Sequence, residues 1–305
     1  MRIRPLFVLR LCCSYFLRIF AVYFSKYIAM RLIADSGSTK TDWCVVDDGM
    51  EICRVTGQGI NPFQQDEETI RDIIHNDVVR RLKDVYLIDE ICFYGAGCRD
   101  RMICVLEKLL SNAFDKADRI EVCSDMLGAA RALFGESEGI ACILGTGSNS
   151  CLYDGKRITA NVPPLGYILG DEGSGAVLGR LFVNALFKGL LPDEIRYRFQ
   201  EETGYDQAYI INKVYREPMA NRFLAGLSVF IHKHLDNKEM KDLVIRNFKN
   251  FFKHNVMMYR RQDLPVSAVG SIAFYYKEEL EEAAMSLGYK LVNVMKSPMD
   301  GLIKF

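Results

Sequence analysis

The sequence predicts an α/β protein built from two similar domains. A short apolar run ends in Gly145-Thr146-Gly147-Ser148, and strand character resumes after it, which is typical of a strand, a tight turn and a second strand. The segment 32–47 has the same form, with Asp35 where its first strand ends. Three strands, a helix, a strand, a helix and a strand then occur twice along the chain, so a duplicated domain is the simplest explanation.

The second of these turns has the composition of an anion-binding site. Gly145 and Gly147 permit positive φ and let another group approach the backbone closely. Successive backbone N–H groups in such a turn form a concave anion site, to which the hydroxyls of Thr146 and Ser148 add donors. A phosphate is the natural occupant, although an ordinary hairpin with glycine in its turn explains the segment equally well when it is considered alone.

The first turn carries Ser38, Thr39 and Lys40 close to Asp35. Thr39 can donate to a phosphate oxygen, and Lys40 either joins it or is simply solvated. Asp35 ends a strand beside the turn, where a carboxylate can hold Mg²⁺ through water, and its alternative role is to cap the turn. Two turns of phosphate-binding type in one duplicated chain favour a nucleotide as the ligand.

Length and composition describe an ordinary globular protein. A chain of 305 residues usually forms two domains. The formal net charge of +0 suggests no nucleic-acid partner. The ten cysteines include no C-x-x-C pair, which is typical of reduced thiols in a cytoplasmic protein. No neighbour in the sequence completes a metal site around His232 and His234, so an ordinary polar helix is the preferred interpretation there.

Residues 1–29 differ in composition from the rest of the chain. They contain five basic residues and no acidic one, and no uncharged run reaches the roughly 18 residues of a membrane span. No cleavage site of small residues follows an apolar segment, so no signal peptide is indicated. We expect this segment to be a non-domain extension and Met30 to be the native start, so no membrane partner is expected for the folded domains. A basic helix on a membrane surface is the alternative.

The first half is expected to form one domain, residues 30–136. Helix 66–83 is predicted from apolar residues at helical spacing and from Asp66 as an N-cap. The segment 58–63 is expected to be a loop, because Pro62 biases Asn61 away from helix. The predicted strands are 30–35, 42–47, 51–56, 88–94 and 119–123, and the further helices are 100–114 and 125–134.

The second half is expected to repeat this order in residues 137–305. A glycine-rich loop at 170–175 introduces a helix that ends near residue 187. Helices 192–214, 219–235 and 238–259 then form an insertion at about 192–262, and helix 274–287 follows it. The predicted strands are 139–144, 150–154, 156–159, 266–269 and 290–294. No linker separates the halves, which favours a hinged cleft between two domains.

Three further segments could contact a ligand. Asp125 ends a strand and begins a helix, so it can be a general base that accepts a hydroxyl proton or a helix N-cap. Asp171, in the glycine-rich loop, and Asn61 could bind hydroxyl groups, with a cap as the alternative for Asp171. Gly270-Ser271 has residues small enough for a base or ribose to pass closely, and a plain turn explains it equally well.

These segments together resemble the N-acetylglucosamine kinase family, which groups with activator ATPases inside the actin, hexokinase and Hsp70 fold. The likeness runs from about Met30 to the end of the chain, and its most specific part is the pairing of the two glycine-rich segments 145–149 and 170–174. The matching motifs, in order, are Asp35-Ser-Gly-Ser-Thr-Lys-Thr-Asp42, Asn61-Pro62, Ser124-Asp125, Leu144-Gly-Thr-Gly-Ser-Asn149, Leu169-Gly-Asp-Glu-Gly-Ser174 and Val269-Gly-Ser271.

The resemblance implies two ribonuclease-H-like domains of the actin and hexokinase type, with ATP, Mg²⁺ and a sugar bound between them. Asp125 would be the general base toward the sugar 6-hydroxyl. The implied magnesium residue is Asp35, and the implied ATP ligands are Asp35, Ser38, Thr39, Lys40, Gly145, Thr146, Gly147, Ser148, Gly270 and Ser271. The implied sugar ligands are Asn61, Asp125, Asn149, Gly166 and Asp171.

The chain also departs from the family pattern. Ser36 and Ser38 stand where the first turn usually has glycine, and their hydroxyls can still donate to phosphate. The sugar loop reads Pro164-Leu165-Gly166-Tyr167, without the usual aromatic and polar pair. The resemblance therefore implies a class of substrate, the N-acetylated hexosamines, rather than one member. It also leaves a homodimer as a possible assembly.

Two other functions fit the same fold. One is an ATPase that activates a 2-hydroxyacyl-CoA dehydratase or a benzoyl-CoA reductase through an iron–sulfur cluster held between two subunits. The cysteines that could be ligands, such as Cys123 and Cys142, lie in predicted strands without the clustered spacing of such sites. The other is a sugar sensor without catalysis, which the retention of both turns and of Asp125 disfavours. The kinase is the preferred hypothesis.

Overall fold

A computed structural model describes residues 30–37, 39–82 and 87–305. The interpretation of residues 1–29 as an extension and the candidate ligand Ser38 lie outside these residues. The chain divides into two compact units, of which the first ends at Ser124 and the second begins at Asp125. No helix in the described ranges is long and apolar enough to cross a membrane.

The first unit contains one mixed five-stranded sheet with strand order β3-β2-β1-β4-β5. β1, β2 and β3 run antiparallel to one another in turn, whereas β4 and β5 run parallel to β1. The strands are β1 (Met30–Ser36), β2 (Lys40–Asp47), β3 (Met50–Gln58), β4 (Ile88–Gly95) and β5 (Arg119–Ser124). The helices are α1 (Glu67–Ile73), which continues as a π-helical turn (Ile74–Val79), and α2 (Arg101–Ala113).

The second unit contains a sheet of the same plan, with order β10-β9-β6-β7-β8. Its strands are β6 (Glu138–Leu144), β7 (Ser148–Asp154), β8 (Ile158–Asn161), β9 (Val266–Val269) and β10 (Leu291–Met295). Its helices are α3 (Asp125–Phe134), α4 (Gly166–Leu169), α5 (Gly175–Phe187), α6 (Asp193–Thr203), α7 (Gln207–Tyr215), α8 (Ala220–Gly226), α9 (Ser228–Lys233), α10 (Lys238–His254), α11 (Ser271–Tyr275), α12 (Lys277–Ser286) and α13 (Met299–Lys304), with a 3₁₀ turn at Val256–Tyr259.

The predicted duplication is confirmed by the topology. In the second sheet β6 and β7, then β7 and β8, are antiparallel, while β9 is parallel to β6 and β10 to β9. This is the arrangement of β1 to β5 in the first unit, so the α/β class and the repeated order of elements are as expected. The buried strands are short apolar runs, whereas the edge strand β3 alternates exposed and half-buried residues, as one-sided burial requires.

Several helix boundaries were predicted wrongly. Helix 66–83 keeps α-helical geometry only to Ile73 and then widens into the π-helical turn. Helix 192–214 is interrupted at Gly204, whose φ of +70° ends α6 in the left-handed region. Helix 219–235 is also two helices, α8 and α9. The short helices α4 and α13 were not predicted, because each has too few residues to show helical periodicity.

Helix α3 packs within the second unit. Its side chains Met126, Ala129 and Ala130 form one buried cluster with residues of β6, β7 and β9 that include Tyr153 and Val269. The sequence placed the domain boundary after residue 136 and so assigned α3 to the first domain. The compact units instead divide before α3, because its apolar face is buried on the second sheet.

Two helical glycines of the second unit provide a test of its packing. A Cβ on Gly179 of α5 would lie 2.0 Å from the carbonyl oxygen of Leu224 in α8, whereas a Cβ on Gly226 would meet nothing within 4 Å. We therefore expect Gly179→Ala to lower the free energy of unfolding by about 1–3 kcal/mol, since helix α8 must move away. Gly226→Ala, the control, should change it by less than about 1 kcal/mol in either direction. Urea denaturation measures both; equal effects would show that the α5–α8 packing is looser than described.

Candidate active site

Three parallel strands of the first unit end at the same edge of the sheet. The register pairs Ser36 with Gly95 and Gly95 with Ser124. The turn after β1, the loop after β4 and the residue after β5 therefore start side by side. This edge carries the predicted residues Asp35, Thr39 and Lys40, and it lies at the carboxyl ends of strands, where α/β sheets commonly bind ligands.

A buried pair of hydroxyls organises this edge. Ser36 Oγ and Thr41 Oγ1 lie 2.6 Å apart, and both side chains are fully buried. Both accept from the N–H of Ile60, at 2.9 and 3.2 Å, and Ser36 Oγ donates to the carbonyl oxygen of Ile60 at 2.9 Å. The expectation that the Ser36 hydroxyl serves phosphate is wrong, because this hydroxyl is committed to Ile60. Its role is to fix the segment that leads into Asn61.

Lys40 and Thr39 differ in how far they are available to a ligand. Lys40 Nζ lies 2.7 Å from Asp42 Oδ2, and Thr56 Oγ1 donates to the other oxygen of that carboxylate at 2.7 Å. Lys40 is thus paired with a carboxylate two residues away on the same face of β2. Thr39 is exposed at the tip of the turn. Of the two predicted phosphate ligands, Thr39 is the one with a solvent-facing side chain that is not held in an ion pair.

Asn61 is buried beside the loop that follows β4. Its Oδ1 accepts from the N–H of Phe63 at 3.1 Å, and its own N–H donates to Gln65 Oε1 at 2.7 Å. A Cβ on Gly97, whose φ is +78°, would lie 2.1 Å from Asn61 Oδ1, so only glycine fits there. Oδ1 already accepts one bond within the loop, so Asn61 can offer a hydroxyl the donors of Nδ2 and the second lone pair of Oδ1.

Asp35 is half-buried at the end of β1, where the register places it between Asp42 of β2 and Tyr94 of β4. Within the described residues no cluster of three or more histidine, cysteine or acidic side chains could hold a metal. A single carboxylate is nevertheless sufficient for Mg²⁺ that arrives with a nucleotide, because this ion keeps several waters and takes phosphate oxygens as ligands. The donor set at Asp35 fits that mode of binding.

Asp125 is the first residue of α3 and directly follows β5. Its Oδ1 accepts from the N–H of Met126, the next residue, at 2.8 Å, whereas an N-cap accepts from the N–H two or three residues further on. Burial raises the pKa of the Asp125 carboxyl, and the hydrogen bond from Met126 opposes that shift. A carboxylate that is partly desolvated in this way is a better proton acceptor than one in water.

The glycine turn of the second unit rests on the start of helix α5. Gly145 N–H donates to the carbonyl oxygen of Gly147 at 2.9 Å. The first N–H groups of α5, from Gly175 and Ala176, donate to the carbonyl oxygens of Gly145 and Thr146 at 2.9 and 3.1 Å. Within the described chain this leaves the N–H groups of Thr146 and Gly147 as donors of the turn, so the anion site is narrower than the four residues 145–148 predicted from the sequence.

Asp171 is locked against this turn. Its carboxylate accepts from the N–H groups of Ser148 and Gly166, and a Cβ on Gly147 would lie 3.0 Å from its Oδ2. Burial raises the pKa of Asp171 to about 6, and the charge of Glu172 adds to that shift. The N–H of Ser148 is thus directed toward Asp171, and the contact of Ser148 with a phosphate stays a prediction.

Helix α10 holds the loop that contains Asp171. Asn247 is fully buried; its Oδ1 accepts from the N–H of Gly173 at 3.0 Å, and its Nδ2 donates to the carbonyl oxygen of Ser174 at 3.4 Å. His254 Nδ1 lies 2.9 Å from Glu172 Oε1. Asn247 was not predicted from the sequence, although a polar residue among the apolar positions of an amphipathic helix is a signal of a buried hydrogen-bonding role.

Gly270 lies at the end of β9, beside the end of β6. Its φ is +122°, and a Cβ there would lie 2.3 Å from the carbonyl oxygen of Leu144. Close packing of two strand ends is thus sufficient to explain this glycine, and its contact with a nucleoside stays a prediction. Ser271 is exposed at the start of α11. The remaining candidate, Asn149, is half-buried on β7, directly after the glycine turn.

The chain is similar in sequence and structure to a protein from Porphyromonas gingivalis that is provisionally named an N-acetylglucosamine kinase. The two are 52% identical, the match covers 90% of this chain and 98% of that one, and the TM-score is 0.88. A Chromobacterium violaceum protein with the same provisional name is 18% identical over 91% and 98% of the two chains, with a TM-score of 0.71.

A glucokinase of the ROK family from Streptomyces griseus, solved with glucose and AMPPNP, shares the fold. It is 13% identical to this chain, with a TM-score of 0.57 and coverage of 90% of this chain and 97% of that one. The sequence matches no protein-family model and no curated protein. The identity of 52% across nearly the whole Porphyromonas protein is therefore evidence of more than a shared fold. The other two similarities are evidence of the fold alone.

The raised pKa of Asp171 predicts how stability depends on pH. Since the folded-state pKa of about 6 lies above the usual value of 3.8 for an aspartate, the stabilisation from its neutral form is complete below 3.8 and is lost as pH rises through 6. Asp171→Asn should therefore be more stable than the wild type by about 1–3 kcal/mol near pH 7.5, and the two should converge only as the pH falls below 3.8.

Thermal unfolding across this pH range checks the prediction, with Asp154→Asn as the control. The pKa of Asp154 is lowered by hydrogen bonds from the N–H groups of Arg157 and Lys156, so its contribution has the opposite sign. A stability difference between Asp171→Asn and the wild type that does not change with pH would show that Asp171 is not desolvated as described.

Proposed function

This chain belongs to the N-acetylglucosamine kinase family, and we propose that it transfers the γ-phosphoryl group of ATP to the 6-hydroxyl of N-acetylglucosamine or a closely related N-acetylhexosamine. The family membership makes it a sugar kinase, a phosphotransferase with an alcohol acceptor. One structural observation supports the proposal most directly. The carboxylate of Asp171, a suitable ligand for sugar hydroxyls, is fixed against the glycine turn at Gly147, whose remaining N–H groups suit a phosphate.

The phosphate groups of ATP would be held by the turns of both units. In the second unit the N–H groups of Thr146 and Gly147 and the hydroxyl of Thr146 are the donors, and the neighbouring start of helix α5 adds its positive dipole end. In the first unit Thr39 would donate from the exposed tip of its turn. Mg²⁺, which neutralises charge on the phosphates, would be held by Asp35.

Asp125 would act as the general base. As the 6-hydroxyl oxygen attacks the γ-phosphorus, its proton passes to an oxygen of the Asp125 carboxylate, and ADP leaves with the electrons of the broken bond. The hydrogen bond from Met126 N–H occupies Oδ1 and so holds the carboxyl group in one orientation, with its other oxygen available. Phosphoryl transfer depends mainly on positioning and charge stabilisation, so this contribution adds to that of the two turns.

The sugar ring would be held by Asn61 from the first unit and by Asn149, Gly166 and Asp171 from the second. Asp171 already accepts two backbone N–H bonds, and a carboxylate can accept about two more, enough for a pair of adjacent hydroxyls.

We further propose a cytoplasmic location. The cysteines of the described chain are free thiols, and burial raises the pKa of Cys92 and Cys151 to about 12, as suits a reducing compartment.

The direct test is ADP release from Mg-ATP with several sugars in parallel. N-acetylglucosamine, N-acetylmannosamine, N-acetylmuramic acid, glucose and a sugar-free control are compared on protein that starts at Met30. We expect ADP release to depend strongly on one N-acetylated sugar. Equal release in every reaction, including the sugar-free one, would contradict the proposal and point to an activator ATPase, whereas sugar binding without turnover would point to a sensor.

Asp125→Asn tests the general base. The amide oxygen of asparagine can still accept from Met126 N–H, so the start of α3 should be preserved. We expect kcat to fall by about 10²- to 10⁴-fold with little change in the dissociation constant of the sugar. Asp118→Asn, at the exposed opposite end of β5, is the matched control and should leave kcat unchanged. Turnover that survives within about tenfold in Asp125→Asn would remove Asp125 from this role.

Asn61→Ala separates binding from chemistry. Loss of the Nδ2 donor should raise the KM for the sugar by about tenfold or more, because one hydrogen bond to a neutral ligand is worth about 0.5–1.5 kcal/mol and the buried partner is left unsatisfied. The change in kcat should be smaller than the change in KM. An unchanged KM in steady-state kinetics would exclude Asn61 from the sugar site.

A further inference from the structure

Two asparagines of neighbouring strands are joined in the second unit. Asn149 follows the glycine turn on β7, and Asn161 is the last residue of β8. Asn161 Nδ2 donates to Asn149 Oδ1 at 2.9 Å and to the carbonyl oxygen of Ser150 at 2.6 Å. The N–H of Ser150 also donates to Asn149 Oδ1, at 2.9 Å. The motifs of the glycine turns do not include Asn161.

The backbone of Ser150 fixes the direction of both amides. Its carbonyl oxygen can only accept, so the group that Asn161 points toward it must be Nδ2. Its N–H can only donate, so the atom of Asn149 beside it must be Oδ1. The two constraints agree, because Asn161 Nδ2 then meets Asn149 Oδ1. Asn149 therefore turns its Nδ2, which has two N–H donors and no acceptor, away from this network.

A second anchor holds the end of β8. The N–H of Val162 donates to the hydroxyl oxygen of Tyr259 at 3.1 Å, and that hydroxyl lies 2.8 Å from Ser150 Oγ. Burial raises the pKa of Tyr259 to about 12, so its oxygen keeps its proton and can donate it to Ser150 Oγ while accepting from Val162. Asn161 is thus tied to β7 on both sides, and its amide has little freedom to turn.

We propose that Asn161 is a positioning residue that sets the substrate selectivity of this site through Asn149. Together with the Ser150 N–H, it fixes the amide of Asn149 with Nδ2 outward, so Asn149 is a donor to the sugar substituent that it contacts. Such a position favours an acceptor, above all the carbonyl oxygen of an acetamido group, and opposes the ammonium of a free aminosugar, which has donors alone. The inference rests on the proposed function, because it requires Asn149 to face the sugar.

The candidate site around Asn149 is consistent with this role. Asn149 is separated by one peptide bond from Ser148, whose N–H is bound by the Asp171 carboxylate. Asn161 immediately precedes the segment 162–170, which supplies Gly166 to the same carboxylate and the Pro164 carbonyl oxygen to the N–H of Asp171 at 2.9 Å. The Asn149–Asn161 pair therefore joins the two segments of chain between which Asp171 is held.

The test compares binding of two ligands to four variants by titration calorimetry. The ligands are N-acetylglucosamine and glucosamine, the latter at a pH where its amine is protonated. The variants are Asn161→Ala, Asn149→Ala, the double variant, and Thr159→Ala as a matched control. Thr159 is also on β8, and its Oγ1 donates to the carbonyl oxygen of Leu152 on β7 at 3.2 Å, so its loss removes a similar cross-strand bond without touching Asn149.

We expect Asn161→Ala to weaken binding of N-acetylglucosamine by about 10-fold and binding of glucosamine by less than about 3-fold, so that selectivity falls. The double variant should bind like Asn149→Ala alone, because Asn161 acts only through Asn149. Thr159→Ala should leave selectivity unchanged. Compared with the wild type, Asn161→Ala should change the KM for N-acetylglucosamine by a larger factor than it changes kcat.

Asn161→Asp is a second test that keeps the size of the side chain. A carboxylate can accept but not donate, so it repels Asn149 Oδ1 and leaves the Ser150 N–H as the one group of this network that holds the Asn149 amide with Nδ2 outward. Relative affinity for glucosamine should then rise above that of the wild type. The inference would be overturned if Asn161→Ala weakened the binding of both ligands by the same factor. It would also be overturned if the loss of affinity in the double variant were the product of the losses in the two single variants.

The outcomes for this inference and for the proposed function are distinct. If the wild type shows sugar-dependent ADP release and the Asn161 variants keep full selectivity, the inference is wrong and the proposed function stands. A wild type that shows no sugar-dependent ADP release contradicts the proposed function, and the calorimetric comparison still decides whether Asn149 is a donor to bound sugar. A wild type that binds neither ligand overturns the inference as well.

Discussion

The carboxylate of Asp171 is the contact on which the candidate site of the second unit depends. It accepts from two backbone N–H groups, those of Ser148 and Gly166, which lie on separate segments of the chain. Its own backbone is in the left-handed region, at φ +54°, a conformation that costs free energy for a residue with a side chain. The hydrogen bonds offset that cost, and the resulting fit is close at Gly147, where a Cβ would lie 3.0 Å from the carboxylate.

In the first unit, a different kind of side chain holds the segment beside the turn. Its sheet has the same order and strand directions as the second, yet the segment next to its turn is held by the hydroxyls of Ser36 and Thr41 rather than by a carboxylate. Hydroxyls both donate and accept, so this buried pair satisfies the backbone of Ile60 without a charge. Duplication has thus preserved the topology, while the side chains that hold each turn have diverged.

Sequence periodicity and turn composition were sufficient to predict the strands and the duplication, because both are local or nearly local properties. The functions of individual polar side chains were harder, since they depend on distant partners. Ser36 was interpreted as a phosphate donor because Ile60, which binds it, is far along the chain. Asn247 and Asn161 were missed for the same reason. Lys40 is a different case, since its pairing with Asp42 follows from strand alternation and was available from the sequence.

Burial and backbone hydrogen bonds act in opposite directions on both candidate carboxylates. Desolvation alone would raise the pKa of Asp125 or Asp171 until the group stayed neutral, and a neutral carboxyl neither accepts a proton nor binds hydroxyls as an anion. One N–H to Asp125, from Met126, and two N–H groups to Asp171 limit the shift. Asp171, whose pKa is raised to about 6, therefore stays ionisable near neutral pH while it is partly withdrawn from water, and this is the condition under which a carboxylate binds neutral hydroxyls as an anion.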